Sequence, residues 1–188
     1  MPQVLKEEIR ARIQAAALEE FFEQGYSAAA MRRIAEEARV PTGLIYSYYK
    51  NKEALFDAVL LPVLYDWQRV LSEGSPSPSK HTGNEVYCLS KGEIRCLLNL
   101  FDHHREFILL MDKSAGTKYA GEKEKLIGDI EAHLNAHPPE DADSLFLHII
   151  ASNFVDGLLQ IMYHYQGKEW AVSLLEKLSK MYLSGIGL

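Results

Sequence analysis

Cysteine is scarce in this chain, with only Cys88 and Cys96 among 188 residues. Two thiols cannot form the framework that staples small secreted domains, and they suit a reducing compartment. The opening residues, MPQVLKEEIRAR, lack an apolar run, so no secretory or transit segment is readable and a cytoplasmic location is expected. The alternating apolar and polar residues that strands require are absent, as are a glycine-rich phosphate loop and a nucleophile elbow. Strand-based architectures are thereby set aside, and neither an enzyme nor a cofactor is expected. Metal chemistry has little to stand on. His133 and His137 are four apart, but Leu-Asn-Ala lies between them instead of the glutamate-bearing pattern of a zinc protease. Cys88, Cys96, His103 and His104 could act together only if two helical segments met, so no metal is assigned. Residues 145–165 are apolar enough to span a bilayer, yet they carry His148, Asn153, Asp156, Gln160 and His164, which favours a buried helix.

What is present is the composition of a globular protein, 47% hydrophobic, long enough for an ordinary domain and a small one. The net charge of −6 argues against a nucleic-acid partner until it is divided along the chain. Residues 1–52 hold eight Lys/Arg and seven Asp/Glu, a net of +1, and the remainder carries −7. Between Met31 and Lys52 the cations Arg32, Arg33, Arg39, Lys50 and Lys52 face only Glu36 and Glu37, a local net of +3. A charge run is usually a solvated face, so helix geometry must decide its meaning.

Ile9, Ile13, Ala16, Ala17 and Phe21 form one helical stripe, predicting a first helix over residues 4–24 that stops at Gly25 in a left-handed conformation. Ser27 is expected to cap a second helix, on which Met31, Ile34, Ala35 and Ala38 share a face and which ends near Arg39. Val40-Pro41 breaks the pattern, and proline suits the first turn of a third, short helix. On that helix Ile45 and Tyr49 face inward, leaving Thr42, Gly43, Tyr46, Ser47 and Lys50 outside. Two short helices joined by a tight turn form a helix-turn-helix. Gly43 lets the last helix approach base edges or sugar closely, the Thr42 and Ser47 hydroxyls donate or accept, and Tyr46 and Tyr48 reach phosphate oxygens. Lys52 is placed to neutralise a backbone phosphate. Tyr46, Tyr48 and Tyr49 cannot all point inward on one helix, so the cluster is more than a cover for a small core.

The stretch GYSAAAMRRIAEEARVPTGLIYSYYKNKEAL resembles the DNA-binding segment of the tetracycline-repressor (TetR) family of bacterial transcription regulators. Gly25-Tyr26, Ile34-Ala35, Ala38, Val40, Gly43, Ile45-Tyr46, Tyr49 and Lys52-Glu53 through Leu55 carry the likeness. The resemblance implies an all-α dimer with an effector domain after the reading head. It implies that Arg32, Thr42, Gly43 and Ser47 approach bases while Tyr46, Tyr48 and Lys52 hold phosphates. The chain departs from the pattern at Ala29 and Ala30, where threonine or serine is usual, at Arg39 in place of a turn glycine, and at Pro41 in place of a small polar cap. A positive φ at Arg39 would be strained.

Beyond Lys52 a long amphipathic helix is expected, kinked at Pro62, then a polar turn-rich loop over residues 74–84. Helical stripes recur over 85–110 and 121–136, with breaks at Ala115-Gly116 and Pro138-Pro139. Residues 145–165 are apolar almost all round and must be covered on several sides, while Leu174, Leu175, Leu178, Met181 and Tyr182 form a stripe on a last helix. Such a terminal pair suits a two-fold four-helix dimer interface. Tyr87, Phe101, His104, Phe107, Met111, Asn153, Phe154 and Tyr163 supply the mixture of large apolar and polar groups that small-molecule cavities use. The expected organisation is all-α, with a three-helix helix-turn-helix domain over 1–52 and an effector-binding and dimerisation domain over 53–188. The expected function is a ligand-responsive dimeric transcription regulator, a repressor released from a palindromic DNA operator by a small molecule of unknown identity. The alternative is an all-α small-molecule binding or scaffolding protein with a vestigial DNA-binding head.

Overall fold

The computed structural model describes residues 3–73, 98–136 and 143–185, and all of its regular elements are helices. Eight have assigned bounds: α1 Gln3–Ala28, α2 Met31–Glu37, α3 Thr42–Tyr48, α4 Lys52–Glu73, α5 His104–Asp112, α6 Glu122–Ala136, α7 Ser144–Tyr163 and α8 Lys168–Gly185. The chain forms two compact units. The first comprises Met1–Pro62 together with Arg105–Lys123; the second comprises Val63–His104 and Glu124–Leu188. The segment 74–84, Tyr87, both cysteines and His137 lie outside the described residues.

In the first unit the apolar stripe of α1 behaves as its spacing requires, with Ile9, Ile13, Ala16, Ala17 and Phe21 all buried. Ile34, Ala35 and Ala38 from α2, Ile45 and Tyr49 from α3 and its end, and Leu55, Phe56, Val59 and Leu60 from α4 complete this small core. Its centre is aromatic: the Phe56 ring stands edge-on to Phe21 and Tyr26, each 5.0 Å away between centroids. The regular path of α1 is broken at Gly25, as expected. The helical assignment continues to Ala28 across a break at that residue, where φ 73° and ψ 162° lie in a region open essentially to glycine alone, beyond the left-handed helical one expected.

The α2 helix begins at Met31 with no side-chain cap at its N-cap residue Ala30. Ser27 therefore does not serve as the cap; its hydroxyl donates instead to the carbonyl of Ala115, 2.6 Å away. At the other end, Arg39 N–H donates to Glu36 O at 3.1 Å and Val40 N–H to Ala35 O at 3.0 Å, the paired bonds of a Schellman ending. That motif forces the residue after the cap into positive φ, and Arg39 has φ 54°.

The segment 105–123 is bolted to the first unit by polar contacts at several points. Arg105 forms a bidentate pair with Glu19, whose second bond measures 2.6 Å. Tyr26 N–H donates to Lys113 O at 2.9 Å, and Asp57 accepts from Lys118 at 2.7 Å and from Tyr119 OH at 3.0 Å. The turn itself is closed by the buried Ser114 hydroxyl, 2.9 Å from Leu110 O and 3.0 Å from Tyr119 O. Gly116 is required there, since it has φ 87° and an added Cβ would lie 3.1 Å from Ser27 Oγ.

In the second unit α7 is capped by Asp143, whose carboxylate accepts the Leu145 N–H at 2.6 Å. Leu147 and Ala151 of α7 pack with Leu134 of α6, flanked by Ile127, Ile130 and Ile150. α8 packs along α7 so closely that a Cβ at Gly157 would meet Leu178 at 2.9 Å. The length and apolarity of α7 would allow it to cross a membrane, but Leu147, Ala151, Val155, Leu159, Ile161 and Met162 are buried within this unit. The covering is one-sided: Leu145 is 64% exposed, Phe146 44% and Ile149 45%.

Candidate nucleic-acid interface

The outer face of α3 follows from its inner one. Because Ile45 and Tyr49 are buried, Gly43, Tyr46, Ser47 and Lys50 are turned to solvent and Thr42, the first helical residue, is half-buried. Tyr46 is 51% exposed, unusual for so large an aromatic on a seven-residue helix. A Cβ added at Gly43 would meet no atom within 4 Å, so nothing within the fold demands glycine there. A glycine in an exposed helix costs about 0.5–1 kcal/mol relative to alanine. Ser47 donates to Leu44 O at 2.6 Å, which leaves its oxygen free to accept. Tyr48 is half-buried with its ring tilted against Tyr49, 6.5 Å between centroids, so it is less accessible than Tyr46. Burial raises the Tyr49 phenol above its ordinary value, as suits an inward-facing ring.

The cations around α3 divide by what they already hold. Arg32 is exposed and its Nε lies 2.9 Å from Glu36 Oε1 one turn on, an exposed pair that opposing groups can exchange at little cost. Arg33 lies 3.6 Å from Glu20. Lys52 is more committed than its reading as a phosphate ligand anticipates: its ammonium donates to Ala29 O at 2.7 Å and Ser27 O at 3.3 Å and sits 4.6 Å above the Tyr26 ring. Burial lowers its pKa, against the opposing charge of Glu20. One of its three N–H groups remains for another acceptor.

Residues 13–59, which span this helix pair, match the family described as "Bacterial regulatory proteins, tetR family". The chain thus carries a TetR-type DNA-binding segment over residues 13–59. Relatives of the TetR-type head include the HTH-type transcriptional regulator HbdR of Aromatoleum sp. (strain CIB), 37% identical over 89 residues, which cover 45% of this chain and 39% of that protein. The HTH-type transcriptional repressor SCO4008 of Streptomyces coelicolor is 47% identical over 60 residues, 32% of this chain and 31% of its own length. The match thus spans well under half of these curated relatives. A TetR-like transcriptional regulator from Rhodococcus sp. RHA1 shares the fold over 98% of this chain and 99% of its own, with a TM-score of 0.58 at 20% identity.

The residues expected to line an effector cavity are distributed over both units. Phe107 and Met111 are buried in α5 within the first unit, whereas Phe101, His104, Asn153, Phe154 and Tyr163 belong to the second. In the second unit Phe101 and His104 are drawn together by Tyr165, which stacks on both at 6.5 and 4.5 Å between centroids. Lys168 pairs with Asp102 beside them at 2.6 Å. Phe154 is half-buried, while Asn153 and Tyr163 are exposed. A groove of about 290 Å³ lies in the first unit, between Gln24, Tyr26, Asp112 and Lys113, and contains none of these residues. Among the described residues no group of three or more His, Cys, Asp or Glu could hold a metal ion.

Three features escaped the sequence reading. Tyr165 carries the aromatic stack, Asp57 anchors the 118–119 pair, and Glu20 is buried. Only Glu20 had a readable signal: it lies seven residues after Ile13 and four after Ala16, on the apolar stripe of α1, where a carboxylate is out of place.

Proposed function

We propose that the chain is a dimeric transcription regulator, a repressor, that binds a palindromic operator in double-stranded DNA and leaves it when a small molecule binds. The observation that carries this reading is the exposed face of α3, where an otherwise unexplained Gly43 lies beside Tyr46, Ser47 and Thr42. A helix with a bare patch flanked by short hydroxyls and a projecting phenol suits close approach to a groove, with Gly43, Thr42 and Ser47 toward bases and Tyr46 and Tyr48 toward phosphates. Arg32 would exchange its exposed partner Glu36 for DNA, and the remaining N–H of Lys52 would take a phosphate. The likeness to HbdR and SCO4008 over the same head supports the reading.

Dimerisation is supported by α7, whose Leu145, Phe146 and Ile149 are large, apolar and uncovered in the single chain. A two-fold partner would cover them and set two α3 helices about one duplex turn, ~34 Å, apart. In this reading the effector binds the second unit, with the stacked Phe101, His104 and Tyr165 as the aromatic part of the site and Phe154 as a further proposed ligand contact. A ligand releases DNA only by its differential affinity for two arrangements of the dimer. Working in the cytoplasm, such a regulator needs neither cofactor nor metal.

The test is a gel shift with duplex DNA from the region flanking the chain's own gene, repeated across salt concentrations. Specific binding should weaken steeply as salt rises, because each neutralised phosphate releases counterions. Failure to shift that DNA, or any duplex, at low salt would favour a small-molecule binder with an idle head.

A further inference from the structure

Ala28 at the end of α1 and Ala29 and Ala30, which join it to α2, have no side chain able to satisfy the backbone. Ala29 N–H donates to Gly25 O at 3.1 Å and Ala30 O accepts from Ile34 N–H at 3.2 Å; the Ala30 N–H and the Ser27 and Ala29 carbonyls are served by side chains from α1 and α4. Glu20 of α1 reaches up with Oε1 3.0 Å from the Ala30 N–H, while Lys52 of α4 takes the carbonyls of Ala29 and Ser27 at 2.7 and 3.3 Å. The other carboxylate oxygen of Glu20 lies 3.6 Å from Arg33 Nε, on α2 itself. Glu20 is only 7% exposed, so this carboxylate is held out of water among the groups it serves. An ion is costly to bury, and an apolar side chain would continue the α1 stripe at no such cost. Leucine at this position, however, would leave the Ala30 N–H without a partner.

We propose that Glu20 and Lys52 are positioning residues that together clamp this alanine connection and thereby fix the start of α2, holding the helix pair in the arrangement that docks on DNA. The carboxylate takes the N–H of the N-cap residue Ala30, the bond that the acidic half of a capping box makes, and the ammonium takes the carbonyls of Ser27 and Ala29. Arg33 ties the same carboxylate to the first turn of α2, making the helix respond to Glu20 at two points. The inference rests on the DNA-binding reading, and its test separates the two.

Glu20→Ala and Glu20→Gln are compared with wild type in two measurements on the full chain: affinity for the gene-flanking duplex, and hydrogen exchange at the Ala30 amide. Glutamine keeps an acceptor for that amide. Glu20→Ala should lose roughly tenfold in DNA affinity, the order set by one unpaired, partly buried donor, and its Ala30 amide should exchange at least about tenfold faster. Glu20→Gln should stay within about threefold of wild type on both counts. A purely structural role would lower the melting temperature of the variants without this split in affinity. If Glu20→Ala does not fold, Lys52→Met carries the test through exchange at the Ala30 amide alone, which should be at least several-fold faster once the Ala29 carbonyl is released; an unchanged rate would overturn the clamp. The clamp is overturned if a folded Glu20→Ala binds within twofold of wild type, or if alanine and glutamine lose equally. Should the wild type bind no duplex, the DNA reading falls by itself, and unchanged exchange at Ala30 in Glu20→Ala would overturn the clamp separately.

Discussion

Replacing Arg39 by glycine should stabilise the chain and weaken its hold on DNA, two effects of opposite sign from one residue. Arg39 stands at φ 54° because the paired bonds from its own N–H and from Val40 close the end of α2 in that geometry. A residue with a Cβ in the left-handed region carries about 1–2 kcal/mol of strain. Glycine relieves it but adds freedom to the unfolded chain, which takes back roughly 0.5–1 kcal/mol. The net gain is about 0.5–1 kcal/mol, or a rise in melting temperature of roughly 1–4 °C for a chain of this size. Arg39→Ala is the control, since it removes the same charge while keeping the Cβ and hence the strain. Both variants should bind operator DNA more weakly, with the slope of log affinity against log salt reduced by about 0.9 if the guanidinium meets one phosphate. Thermal melts followed by circular dichroism and anisotropy titrations at several salt concentrations measure both sides. A glycine variant that melts no higher than the alanine variant would refute the strain argument, and an unchanged salt slope in both would remove Arg39 from the DNA contacts.

Thr42→Ala should change the ranking among operator variants more than affinity for random DNA, as read in competition gel shifts; equal losses on every sequence would assign Thr42 to the phosphate backbone. Phe154→Ala should alter the response to an inducer found by screening while sparing operator affinity, and joint loss of dimerisation and DNA binding would move Phe154 to the subunit interface. Glu19→Gln should flatten the acid side of the stability profile. The hydrogen bond from Arg105 holds the Glu19 carboxyl below its ordinary value of 4.5, so its contribution is complete above the unfolded pKa and is lost as pH falls through the folded one. An acid limb unchanged in melts between about pH 2 and 5 would show that this exposed pair contributes nothing measurable.

Much of the head was legible because its signals are local. The α1 stripe, the inward pair Ile45 and Tyr49, and the strain at Arg39 all depend on neighbours within a few turns. Ser27 was misread as a cap because its hydroxyl is taken by Ala115, 88 residues further along the chain, and no local pattern encodes that distance. Lys52 shows the same limit from the other side. Its charge and place at the start of α4 suggest a phosphate, yet the carbonyls of Ser27 and Ala29 belong to a turn more than twenty residues earlier. Composition alone does not distinguish a cavity lining from a core, and Phe107 and Met111 belong to a helix whose residues 107–111 are all buried.

The two-part make-up of the first unit also bears on the order of synthesis. Residues up to Pro62 leave the ribosome long before Arg105–Lys123, and the intervening 63–104 belong to the other unit. At ~5–20 residues per second, the nascent head waits several seconds for the partners of Glu19, Tyr26, Ser27 and Asp57. During that interval the Tyr26 N–H, the Ser27 hydroxyl and the Glu19 and Asp57 carboxylates face water, and the helix-turn-helix must hold itself together by the small core around Phe21 and Phe56. Closing the excursion costs only a slowly growing loop entropy, so the delay is set by translation more than by thermodynamics. A ribosome stalled between residues 62 and 104 would therefore carry a reading head that is folded in outline but unfastened along the face that Arg105–Lys123 later covers.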